Sequence, residues 1–203
     1  MLDVGAGYGL LSSILYTKGY EVEIVEPEHS SYYLRGRKFK HYKTTIEEFL
    51  HNQKSKYDII IMMDVIEHLK DPLKILKQLK SFLNKDSIIV IQTPNYKSLM
   101  ANLCINWSWW MVSDHKFFFS PNSMRLFFKK AGYTVSGLET YEDIEDFKKN
   151  LDGNFASIRT SLVRKLIKGL FYSVFSPFYI FFRNILWRFH YGGLIFTIAS
   201  PVL

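Results

Sequence analysis

A chain of 203 residues, 48% of them hydrophobic, is long enough for one α/β domain with a sizeable core and too short for two comfortable ones. The single cysteine, Cys104, excludes an internal disulfide and suits a reducing, cytoplasmic compartment. The formal net charge of +7 gathers at one end, because no Asp or Glu follows Asp152 while Arg159, Arg164, Lys165, Lys168, Arg183 and Arg188 do. That distribution argues against a general nucleic-acid-binding surface and asks for a local cause.

Met1 enters the first strand almost directly, so no signal peptide is expected. The apolar Leu2-Asp3-Val4 runs into Gly5-Ala6-Gly7-Tyr8-Gly9, and Leu10, Leu11, Ile14 and Leu15 then recur at helical spacing. Alternating glycines at a strand-to-helix turn let the backbone bend tightly and let a ligand approach the main chain. The next strand, Glu21 to Val25, ends at Glu26, where a carboxylate is placed to accept hydrogen bonds from a ribose. Turn and acid together read as a nucleoside-cofactor pocket. A dinucleotide fingerprint fails, because it needs glycine where Leu10 or Ser12 stands.

A polar, aromatic stretch follows Glu26, then a weak strand at 41–43 and a short helix from Ile46 capped by Thr45. Tyr57 to Met63 is a continuous apolar run, as expected of a central buried strand. The pattern predicts a helix over 72–83, with Pro72 in its first turn, and a strand over 87–92 closed by Thr93-Pro94-Asn95. Residues 96–120 form a long aromatic connection, which at that length marks a functional loop. A helix from Ser120-Pro121 to Gly132, a strand over 133–138 and a last strand over 194–199 complete the order. Alternating strands and helices argue for a mainly parallel sheet covered on both faces.

Several of these segments carry a resemblance. Asp3-x-Gly5-x-Gly7-x-Gly9 resembles the first motif of class I S-adenosylmethionine-dependent methyltransferases. Asp64-Val65-Ile66-Glu67-His68-Leu69-x-Asp71-Pro72, Thr93-Pro94-Asn95, Asp114-His115-x-Phe117-Phe118-x-Ser120-Pro121 and Ala131-Gly132-Tyr133 resemble one subgroup, which includes ubiquinone-type O-methyltransferases and sugar- and polyketide-modifying relatives. The resemblance covers roughly residues 1–140 plus the last strand. It implies a Rossmann-like class I methyltransferase fold: a seven-stranded, mostly parallel sheet with an antiparallel last strand. It also implies a first strand and preceding helix longer than this N-terminus supplies.

By that resemblance, Asp3, Gly5, Gly7 and Gly9 form the cofactor turn and Glu26 holds the ribose of S-adenosyl-L-methionine. Thr45 and Ile46 line the adenine, while Asp64 and Val65 face the methionine end. Methyl transfer needs in-line proximity and, for a hydroxyl acceptor, a base. His115, preceded by Asp114, is the candidate base; its other reading is a satisfied surface histidine. His68 after Glu67 reads first as a turn organiser. No His, Cys or carboxylate spacing points to a metal. Thr93-Pro94-Asn95-Tyr96 lacks the second proline of amino-group DNA methyltransferases and follows the wrong strand, so a nucleic-acid substrate is not expected.

One domain over 1–203 is expected, with a basic, aromatic insertion at about 141–191 between the last two strands. Its longest uncharged run, 169–182, contains Pro177 and is shorter than the ~18–20 residues a membrane span needs. A hairpin or a helix lying flat on an anionic membrane face fits 158–191, as does a helical pair packed on the core or on a second subunit. The expected function is methylation, at oxygen, of a small-molecule, glycan or lipid-linked acceptor. The alternative is a non-catalytic cofactor-binding or scaffold protein.

Overall fold

The computed structural model describes residues 1–27, 39–52, 55–104, 107–155 and 158–202. Most of the polar stretch expected after Glu26, with His29, lies outside the described residues. One seven-stranded sheet runs in the order β3-β2-β1-β4-β5-β7-β6, formed by β1 (Leu2–Val4), β2 (Glu23–Val25), β3 (Lys40–Tyr42), β4 (Tyr57–Met63), β5 (Leu83–Pro94), β6 (Tyr133–Tyr141) and β7 (Leu194–Pro201). β7 is antiparallel to both β5 and β6, and the pairings among β1 to β5 are parallel. The expected sheet is the observed one.

Around it lie α1 (Leu10–Thr17), α2 (Ile46–Asn52), α3 (Pro72–Leu79), α4 (Leu99–Leu103), α5 (Pro121–Ala131), α6 (Ile144–Asp152) and α7 (Ser161–Arg188). Local chemistry fixes their ends. Asp71 caps α3 by accepting from the Lys74 N–H, with Pro72 just inside, where a missing N–H costs nothing. Ser120 and Ser123 form a reciprocal capping box at α5, and Gly132 stops it in the left-handed conformation at φ 80°. The main core joins Leu2, Ile60, Met62, Leu76, Ile89 and Phe128, all fully or almost fully buried. A second cluster of Met100, Cys104, Trp107, Phe147, Leu151 and Tyr179 fills the space between α4, α6 and α7.

Four expectations change. α3 ends at Leu79; Lys80–Phe82 tighten into a 3₁₀ turn and Leu83 already begins β5, so an apolar residue at helical spacing serves a strand. β6 runs on to Tyr141, and the loop at 96–120 contains α4. Most consequential, Pro177 does not divide the insertion into a helical pair: α7 continues through it for 28 residues. A proline leaves the carbonyl four residues earlier without its donor, and here Ser173 and Pro177 are both exposed, on the side where water can serve that carbonyl.

Candidate functional site

The carboxyl ends of β1, β2 and β4 meet at the glycine turn, the place where open α/β sheets bind ligands. Gly5 has φ 71°, and a Cβ there would lie 2.3 Å from Val65 Cγ2, so glycine alone lets the turn sit against the residue that follows β4. Gly7, at φ 51°, would meet nothing within 4 Å, and its backbone borders open space. Its N–H donates to Glu26 Oε2 at 2.8 Å, which ties the acid at the end of β2 to the turn. Gly9 is the N-cap of α1 at φ 81°.

Asp3 lies under this turn, 3% exposed, where its carboxylate accepts the Ser12 hydroxyl; burial raises its pKa. It shapes the turn from below and does not line the cleft. That cleft, of about 480 Å³, is lined by Gly5, Thr45, Ile46, Val65, His68 and Lys116 among others. The Thr45 hydroxyl accepts from the Glu48 N–H at 3.3 Å and so caps α2, while Ile46 is buried at the cleft wall. The turn, the acid and the apolar wall fit a nucleoside-bearing cofactor.

The mouth of β4 is held by polar bonds. Asp64 takes φ 55°, a backbone state rare outside glycine. Both its carboxylate oxygens accept from the Gln92 side-chain amide, at 3.1 and 3.0 Å, and the Tyr141 hydroxyl donates to Gln92 Oε1. Three strands thereby fix one carboxylate, and burial raises its pKa. Gln92 and Tyr141 were missed from the sequence; the only signal was a polar residue ending the apolar run of β5.

Glu67 follows at 1% exposure. Its Oε2 accepts from Thr93 at 2.9 Å, its Oε1 has no partner, and burial pushes its pKa up to about 7. The Lys116 N–H donates to the Glu67 carbonyl at 2.8 Å, His68 Nδ1 lies 3.1 Å from the Asp114 carbonyl, and Lys116 Nζ donates to the His68 carbonyl at 2.8 Å. These bonds pin the aromatic loop onto the turn after β4. They bring the His115 ring to 4.8 Å from His68, edge to face, and to 6.3 Å from Trp109, stacked.

His115 is 4% exposed, not a surface histidine, and its Nδ1 has no partner. Burial first, then the neighbouring His68, lowers its pKa. Asp114 meets the site through its carbonyl, with its side chain exposed. Ligand-type atoms of Glu67, His68 and His115 all lie within 4.8 Å of one another, a group that could hold a metal ion. Sequence spacing points to no metal, and this cluster joins His68 to a residue 47 positions away, a separation that no spacing rule reads.

Sheet order, glycine turn and acid at the end of β2 define a Rossmann-like nucleoside-cofactor domain of the methyltransferase type. Residues 1–137 match the methyltransferase-domain family, and the chain belongs to that family. The ubiquinone biosynthesis O-methyltransferase of Actinobacillus pleuropneumoniae serotype 5b (strain L20) is 33% identical over 116 residues, 52% of this chain and 49% of that protein. That of Bartonella tribocorum is 26% identical over 174 residues, 76% and 70% of the two chains. The chain thus spans about half the length of the first of these relatives. Among solved structures, a SAM-dependent methyltransferase from Archaeoglobus fulgidus superposes with a TM-score of 0.65 at 23% identity, over 98% of this chain and 85% of that one, a likeness of fold.

Proposed function

We propose that the chain methylates a hydroxyl oxygen of a small-molecule acceptor, with His115 taking the proton. The observation that carries this is the buried His115, with an unpartnered Nδ1, packed 4.8 Å from the ring of His68, which lines the cleft that begins at Gly5. When bound, S-adenosylmethionine supplies an activated methyl group. Gly5, Gly7 and Glu26 would hold it, with Ile46 and Val65 as apolar walls and Asp64 near its methionine end. Because burial lowers the His115 pKa below its ordinary 6.5, the ring is neutral at pH 7 and has a lone pair to offer. Trp109 and Phe118, packed about His115, suit an aromatic acceptor. The O-methyltransferase names of the relatives support oxygen as the methylated atom. A lipid-linked acceptor and a cytoplasmic site at the inner face of a membrane are finer parts of the same proposal; the basic, aromatic 158–191 supports them.

The test is calorimetric titration with S-adenosylhomocysteine, followed by transfer of labelled methyl to a phenol and a catechol. Glu26→Ala should weaken binding. His115→Ala should leave binding intact and slow transfer by about 10²–10⁴; an unchanged rate would remove His115 as base. The proximity of Glu67, His68 and His115 favours a second reading, in which they hold a divalent cation that acidifies the acceptor hydroxyl. Dialysis against EDTA separates the two: loss of transfer restored by Mg²⁺ or Zn²⁺ supports the cation, an unchanged rate the histidine alone.

A further inference from the structure

Helix α7 is inside out. Of its 28 residues only Tyr179 is buried, while Leu162, Leu166, Leu170, Val174, Phe178 and Phe181 follow one another at steps of three or four, each more than 60% exposed. That spacing lays one apolar stripe along most of its length of ~42 Å. Its inner side is anchored at several points. Lys168 pairs with Asp152 at 2.7 Å, the Tyr172 hydroxyl donates to the Lys148 carbonyl at 2.9 Å, and the Thr140 hydroxyl donates to the Trp187 carbonyl at 3.1 Å. The helix is therefore part of the domain, and its outer face is the side left without a partner.

We propose that this outer face seats the protein on an anionic lipid bilayer, with α7 lying in the plane of the interface. This names the partner for the membrane option in the reading above and rests on it only there. Charge decides the occupant. The segment after Asp152 holds six cations and no acid. Arg164, Lys165 and Lys168 stand in the first two turns of α7, the end where the helix dipole favours anions, and with Ser161 and Leu162 they line an open cleft of about 420 Å³. Lipid phosphates would neutralise Arg164 and Lys165, while Lys168 keeps its pairing with Asp152. A second copy docked symmetrically through α7 would instead bring two such acid-free segments together.

Depth follows from the same geometry. No helix among the described residues is long and apolar enough to cross a membrane, and β7 returns to the same sheet as β6. The helix therefore lies on the surface and does not cross. Behind the stripe, a cavity of about 370 Å³ is lined by apolar side chains of α4, α6 and α7, among them Leu103, Phe147, Phe175 and Phe182. Phe178 and Ile185 belong to both cavity and exposed face, so the cavity opens where lipid chains would lie.

Flotation of the full chain with phosphatidylcholine vesicles, with and without phosphatidylglycerol, tests this with no acceptor or turnover involved. Binding should require phosphatidylglycerol and fall with salt. Lys165→Gln and Arg188→Gln, both at exposed positions, should each weaken partition about fivefold. Leu166→Ser with Leu170→Ser and Phe181→Ser should abolish it while S-adenosylhomocysteine binding is kept, which separates this outcome from failure of the enzymatic reading. Three results overturn the proposal: protein that binds S-adenosylhomocysteine but does not float, equal binding to neutral vesicles, or a lipid-free dimer in sedimentation that the serine variants dissolve.

Discussion

At Gly5 two independent constraints meet, a positive φ and a 2.3 Å approach to Val65 that leaves no room for a methyl group. Gly5→Ala should cost about 1–3 kcal/mol from backbone strain alone, with the clash against Val65 added to it. Denaturant titration should show the loss, and S-adenosylhomocysteine affinity should fall with it, because the displaced turn also presents Gly7 to Glu26. Gly5→Ala with Val65→Ala removes the clash and keeps the strain. The pair should therefore recover part of the stability and not all of it. The glycine turn itself was legible in the sequence, since glycine spacing is a backbone requirement written directly in residue type. Gln92, Tyr141 and the His68–His115 contact were not, because side chains from different strands and loops converge only after the sheet has set their register.

Secondary elements were legible where a local rule decides them and misread where only a tertiary contact does. Ser120, Pro121 and Gly132 bound α5 where expected, because capping and a left-handed stop act within a few residues. Ser120→Ala removes the acceptor for the Ser123 N–H and should cost about 1 kcal/mol, or about 2–4 °C in Tm for a domain of this size. Leu83 continues the apolar spacing of α3, yet it pairs with Tyr57 in the sheet, a partner 26 residues away that no periodicity encodes. Pro177 shows the opposite failure, a correct local rule outvoted. The helix persists through it because Tyr172 and Tyr179 anchor the turns on either side. Pro177→Ala restores the missing N–H in an already helical segment. It should therefore raise far-UV helicity and Tm without changing S-adenosylhomocysteine affinity. A fall in Tm would mean that the proline sets a bend the fold requires.

For the whole molecule, the cap formed by α6 and α7 is joined to the sheet through a buried acid. Glu142, 3% exposed, accepts from the Asn150 side chain at 3.2 Å, and its carbonyl accepts from the Tyr179 hydroxyl at 3.4 Å. Burial, with Asp146 nearby, pushes its pKa up to about 8 from an ordinary 4.5. The folded chain therefore keeps this proton between those two values while the unfolded chain gives it up. Rising pH thus favours unfolding across that window, and the effect levels off above pH 8. Glu67 acts in the same direction but is complete by about pH 7. Between pH 7 and 8 Glu142 still contributes to the fall. Urea midpoints should drop more over that unit for the native chain than for Glu142→Gln, whose amide oxygen still accepts from Asn150. Parallel curves for the two proteins would show that the acid is hydrated or paired in solution, and that the cap does not depend on its proton.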